Sequence, residues 1–241
     1  MDIIDNIAKR LLKKATVIEK RKIADETYHL MLMGDDLKNL HYTPGGQLRI
    51  LVGMNKHAAI TNKVRTYSIW NYEADQGIVD LAVCTFSNGP GAGWIKEVKE
   101  NDTVYFSGPK GKFVVDDSAD YYFLIGDISS LAHLYEIRRN LSPGKRVHSF
   151  VHADTDWDFF TDVDGAHPLD FYETNGLNVP EFLIQRLHPI LEEEQGMGIA
   201  YIGGEANTCL SLHEYFYKTV GWSTRQIKTK PFWHPYKTGL E

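Results

Sequence analysis

The chain changes texture at Gly108-Pro109-Lys110-Gly111, and that change constrains the fold more than any other feature. Before it lie short apolar or alternating runs at residues 15–21, 27–32, 47–52, 64–70, 77–86 and 104–107. Gly, Asn, Asp and the turn Pro44-Gly45-Gly46 separate them, which predicts a six-stranded antiparallel β-barrel. One helix interrupts the series, entered through Gly89-Pro90-Gly91-Ala92-Gly93-Trp94 with Pro90 in its first turn. After the break, residues 121–125 form a continuous apolar run of the kind found in buried parallel strands. A helical pattern at 129–141, a strand at 146–151, a helix at 182–191, a strand at 199–202 and a helix to 219 follow. This alternation predicts an α/β half with a parallel sheet. The reading is β + α/β, with domains at residues 1–114 and 115–241.

Composition narrows the function classes. The 241 residues include 43% hydrophobic side chains and carry a formal net charge of -6. That balance argues against a general nucleic-acid binder, which needs a basic face. No run approaches a membrane span, and residues 3–12 are too broken by charge for a signal sequence. A cytoplasmic monomer with no membrane partner is therefore expected. Cys84 and Cys209 each sit in an apolar run and read as buried, reduced thiols. Neither belongs to a CxxC pair, so no zinc or iron–sulfur site is indicated. His148 and His152 share a strand face but lack a third ligand nearby in sequence. The acidic stretch 154–173 fails as a calcium loop, because Phe160 and Phe171 fall where carboxylates are needed.

The chemistry concentrates at Arg65-Thr66-Tyr67-Ser68. On a strand, Arg65 and Tyr67 share one face, and Thr66 and Ser68 the other. A guanidinium forks onto phosphate oxygens and a phenol offers a flat ring face. The pair suits a ligand carrying both phosphate and a planar ring, such as a flavin nucleotide; the plain alternative is an exposed Arg beside a barrel Tyr. The glycines at 89–93 let backbone N–H groups approach a pyrophosphate. Two strand exits offer similar turns, Gly126-Asp127-Ile128-Ser129-Ser130 and Gly203-Gly204-Glu205. These read equally as ordinary βα turns with Ser129 as a cap. There is no GxGxxG.

Six stretches, in order and in spacing over residues 15–240, resemble the siderophore-interacting proteins, FAD-containing ferric-siderophore reductases of the ferredoxin-reductase superfamily. They are Arg65-Thr-Tyr-Ser68, Gly89-Pro90 with Trp94, Gly108-Pro-Lys-Gly-Lys-Phe113, Gly126-Asp-Ile-Ser-Ser-Leu131, Gly204-Glu205 and Pro231-Phe-Trp233. The resemblance implies FAD held by the barrel. Arg65 neutralises the diphosphate, Gly89, Gly91, Ala92 and Gly93 supply backbone N–H groups, and Tyr67 packs on the isoalloxazine. Ser68 lies near the reactive nitrogen. Thr66, Thr85, Trp94, Ser129, Ser130 and Trp233 complete the cofactor contacts. Gly126, Asp127, Gly204 and Glu205 face the electron donor, which is NADPH, NADH or reduced ferredoxin. The substrate is a ferric siderophore or other ferric chelate, reduced from Fe(III) to Fe(II), with Arg225, Lys228, Lys230 and Lys237 as docking cations. No side chain acts as a catalytic acid or base. A general NAD(P)H:flavin or ferric-chelate reductase and a non-catalytic siderophore-binding protein stay open. The chain departs from the family at Thr85-Phe86, Gly126–Ala132 and Phe232-Trp233-His234.

Overall fold

A computed structural model describes residues 11–52, 64–86 and 89–237. It divides into two compact units, the first ending at Lys112 and the second beginning at Phe113.

The first unit holds β1 (Lys13–Ala24), β2 (Thr27–Met33), β3 (Gln47–Leu51), β4 (Val64–Ser68), β5 (Asn71–Glu73), β6 (Ile78–Cys84) and β7 (Thr103–Lys110). They form one sheet in the order β4-β3-β7-β1-β2-β6-β5, with antiparallel neighbours. Strand faces alternate as period 2 requires. Leu30, Leu32, Leu48, Ile50, Val79 and Leu81 meet in one buried cluster.

The six expected strands become seven because the 64–70 run bends after Ser68. Ile69 N–H donates to Gly46 O at 3.1 Å, on the β3 side, and Trp70 N–H donates to Asp80 O at 2.8 Å, on β6. One segment thus pairs with β3 in its first half and with β6 in its second, and so supplies both edge strands of the sheet. A buried polar group holds the bend. The Asp80 carboxylate bonds His29 Nε2 at 2.7 Å and accepts from Asn71 Nδ2 at 3.0 Å. The Trp70 ring stands edge-on to His29 at 5.2 Å.

Helix α1 (Pro90–Glu97) is short, with proline in its first turn and no side-chain cap on its N-terminus. Its other end is clamped from β1, where Lys20 Nζ donates to Lys96 O at 3.2 Å and Val98 O at 2.9 Å. A cation there also complements the helix dipole.

The second unit runs β8 (Tyr121–Asp127), α2 (Leu131–Arg139), β9 (Arg146–Ala153), β10 (Phe171–Glu173), α3 (Val179–Glu193), β11 (Gly198–Glu205), α4 (Ala206–Glu214) and β12 (Ile227–Trp233). A π turn, Tyr215–Thr219, continues α4. The sheet is parallel in the order β10-β9-β8-β11-β12. All of β8 is buried, which explains its unbroken apolar run. Helix α2 starts two residues later than its pattern predicts, because Ser129 and Ser130 fold back onto Asp127. The long loop after β9 is fastened to α2. Tyr135 Oη–H donates to Phe160 O at 2.6 Å, and Arg139 pairs with both Glu136 and Asp162.

Both cysteines are free thiols; Cys209 is buried as expected, but Cys84 is only half-buried, with its sulfur 3.5 Å from Thr27 Oγ1. Among the described residues no helix is long and apolar enough to cross a membrane. None of their His, Cys, Asp and Glu side chains gather in threes to hold a metal ion.

Candidate functional site

In the first unit the predicted residues converge on α1. Strand β4 pairs with β3 so that Tyr67 lies opposite Leu48 and Arg65 opposite Ile50. Both partners are fully buried, so Arg65 and Tyr67 share the face toward the core. The N-terminal turn of α1 reaches that face. A Cβ built on Gly91 would collide with the Tyr67 hydroxyl and lie 3.6 Å from Arg65 Cγ, so any larger residue there must displace the Tyr67 ring. The Tyr67 and Trp94 rings lie 5.7 Å apart with a tilt of 31°, and both pack on the core. Arg65 Nη1 donates to Val64 O at 2.6 Å, which turns the guanidinium back along its own strand.

The turn fits an anion. Gly93 N–H is taken by Gly89 O at 3.2 Å, which closes the first helical turn. The N–H groups of Gly91 and Ala92, inside that turn, have no intrahelical acceptor by geometry. A Cβ on Gly93 would meet nothing within 4 Å, so the backbone is open there. Donors, a guanidinium stem and two ring faces thus lie together, a set suited in chemistry to a ligand that carries both phosphate and a planar ring.

Other predicted positions are engaged internally. The Ser68 hydroxyl is buried and accepts from Gln47 Nε2 at 3.2 Å. Thr85 donates its N–H to Glu26 O at 2.7 Å and its hydroxyl to Glu26 Oε2 at 2.8 Å. Gln47 and Lys20 escaped the sequence reading. Gln47 follows a predicted turn and Lys20 sits in a basic run, but their partners lie far along the chain.

In the second unit Asp127 is a hub. Its Oδ1 accepts from the Ser129 N–H at 2.9 Å and from the Ser129 hydroxyl. Its Oδ2 accepts from Glu205 N–H at 2.9 Å and Trp233 Nε1–H at 2.8 Å. Ser130 bonds the Asp127 carbonyl through both its N–H and its hydroxyl. Gly204 has φ +119°, and a Cβ there would sit 2.6 Å from Asp127 Oδ2. Glu205 caps α4 by accepting from Asn207 N–H and Thr208 N–H. Gly126, Asp127, Gly204 and Glu205 therefore build the turn itself, and Trp233 is drawn into it.

The four basic residues lie in or beside β12. Arg225 precedes β12, Lys228 and Lys230 lie within it, and Lys237 follows it. Lys228 is paired with Asp116 at 3.0 Å. Bonds from the Ser118 hydroxyl, together with Lys228, hold the Asp116 carboxyl below the ordinary carboxylate range. His148 is likewise engaged, bonding Glu194 Oε1 at 2.6 Å.

Residues 14–115 match the oxidoreductase FAD-binding domain family, and residues 119–236 match the siderophore-interacting protein family. The fold is that of a siderophore utilization protein from T. fusca (TM-score 0.77, 18% identity, 95% of each chain). It is also that of the siderophore-interacting protein of Acinetobacter baumannii (TM-score 0.79, 12% identity, 93% of this chain and 91% of that one). Phthalate dioxygenase reductase shares it too (TM-score 0.73, 18% identity, 93% of this chain and 69% of that one). The architecture is ferredoxin-reductase-like. With an FAD-binding domain followed by a siderophore-interacting domain, together reaching from residue 14 to residue 236, the chain belongs to the siderophore-interacting protein family.

Proposed function

We propose that the protein is a cytoplasmic FAD-dependent reductase that releases iron from ferric siderophores, reducing chelated Fe(III) to Fe(II) with electrons from a nicotinamide nucleotide or reduced ferredoxin. The observation that carries the reading is the meeting of Arg65 and Tyr67 with the open glycine turn of α1. Arg65 pairs with the cofactor diphosphate, and Gly91 and Ala92 donate backbone N–H groups to it. Tyr67 and Trp94 present ring faces to a planar heterocycle, while Gln47 holds Ser68 in place beside them. When bound, the flavin supplies the exchange between a two-electron donor and a one-electron ferric acceptor. Chelating oxygens hold hard Fe(III) better than Fe(II), so reduction loosens the iron. The protein needs no acid or base for that step. Anionic chelates are assigned to Arg225, Lys230 and Lys237, with Lys228 committed to Asp116.

The test is anaerobic. The purified protein should be yellow, with an absorbance band at about 450 nm as expected of an oxidised flavin. Adding NADH, NADPH or reduced ferredoxin should bleach it, and a ferric chelate should restore it. Arg65→Ala should purify largely free of flavin. A colourless parent protein, or full flavin occupancy in the variant, refutes the assignment.

A further inference from the structure

The carboxyl ends of β8, β9 and β11 form a rim that is acidic and holds one uncommitted imidazole. Asp127 ends β8, Ala153 ends β9 and Glu205 ends β11, with His152 the register partner of Asp127. The carboxylates of Asp127 and Glu205 are spent on internal donors, as described above. His152 is not: it is 7% exposed, its backbone is paired on both sides in the sheet, and its imidazole makes no hydrogen bond to any described residue. Burial lowers its pKa against the opposing pull of Asp127, Asp154 and Glu205, so all three carboxylates lie within electrostatic reach of the ring. Asp154 is the first residue beyond β9; it is exposed and likewise bonds no described residue. From residue 147 to residue 185 the chain contains eight Asp and Glu and no Lys or Arg. That stretch supplies most of β9, the loop after it, β10 and the start of α3.

Parallel sheets bind nucleotides at this end of their strands. The side chain closing the strand after the first βα turn meets the adenosine ribose. A carboxylate there accepts the 2′-hydroxyl, and a basic residue accommodates a 2′-phosphate. Here β8 and α2 make the first turn, β9 is the next strand, and Asp154 closes it. A 2′-phosphate would bring two negative charges against Asp154 with no cation on that stretch to balance them.

We propose that this rim binds a dinucleotide with a free 2′-hydroxyl, Asp154 selecting NAD(H) over NADP(H) and His152 supplying a second polar contact to the same nucleotide. The inference rests on the reading of the protein as a nucleotide-fed flavin reductase, and its test does not depend on turnover. Titration calorimetry with NAD+ and with NADP+ at low ionic strength measures binding directly. NAD+ should bind at least ~10-fold more tightly, since an uncompensated like charge at a binding surface costs that much or more. Asp154→Arg should narrow or invert the preference, and His152→Ala should weaken NAD+ binding. Asp154 is exposed, so the arginine variant can be checked for folding by circular dichroism before use. NADP+ binding as tightly as NAD+, binding of neither, or an unchanged preference in Asp154→Arg overturns the proposal. Failure of the underlying flavin reading is seen separately, as a protein that purifies without the yellow chromophore.

Discussion

His133 makes the second unit acid-labile by an amount that can be worked out. The imidazole is fully buried on α2, stacked on Phe113 at 4.6 Å, with Nε2 2.8 Å from Phe113 O. Burial lowers its pKa from 6.5 to about 3, the bond to Phe113 O only partly opposing the effect. The folded state therefore prefers the neutral ring, while the unfolded chain takes up a proton near 6.5. The contribution is fully present above that value and is lost as pH falls toward 3. At pH 4.5, two units below the unfolded value and still above the folded one, the loss is about 3 kcal/mol relative to neutrality. His133→Gln keeps a donor at a similar reach and removes the titration. Urea denaturation of both proteins at pH 7.5 and 4.5 gives the comparison, and carboxylates common to both cancel. The parent should lose about 3 kcal/mol more than the variant between the two conditions. Stability curves that stay parallel within about 0.5 kcal/mol would refute a neutral buried imidazole, given the usual error of such extrapolations.

Three further outcomes follow from named contacts. Gly91→Ala places a methyl against the Tyr67 hydroxyl, so the ratio of visible to ultraviolet absorbance should fall sharply in purified protein while far-ultraviolet circular dichroism is retained. Asp127→Ala strips the acceptor from Glu205 N–H, Trp233 Nε1–H and Ser129, and should cost about 2–4 kcal/mol in thermal or urea unfolding, the range for losing charge-assisted hydrogen bonds and leaving their donors unpaired. Arg139→Met leaves Glu136 and Asp162 buried without their cation; hydrogen exchange should quicken across the loop after β9, and a loop as protected as in the parent would contradict the clamp.

How far the fold could be read depended on whether the deciding partner was local. Alternation along β2 and β6 and the apolar run of β8 record burial directly, so those strands stand out. The bend after Ser68 does not, because Ile69 and Trp70 continue the apolar run and are turned by acceptors at Gly46 and Asp80. Strand β12 reads as polar, Lys-Thr-Lys-Pro, since it lies at the sheet edge where lysine and proline are tolerated. Strand β10 is only three residues long. At the candidate site, Arg65 and Tyr67 were legible from period 2 and the glycine turn from its composition. That the two meet depends on β3 carrying β4 beneath α1, which no short window contains. Lys228 illustrates the converse, a surface cation on charge count and an ion-pair partner of Asp116 in space.

The bent segment from Val64 to Glu73 has a thermodynamic consequence. The residues that face α1 and the residues that form both edge strands of the sheet belong to one stretch of chain, so releasing that stretch and dismantling the site are a single event. Anything gripped by Arg65 and Tyr67 is a ligand of the folded first unit only, and by mass action it adds RT ln(1 + [L]/Kd) to the stability of that unit. Cofactor loss and unfolding of the first unit should therefore show one shared midpoint, and the melting temperature of that unit should climb with added flavin.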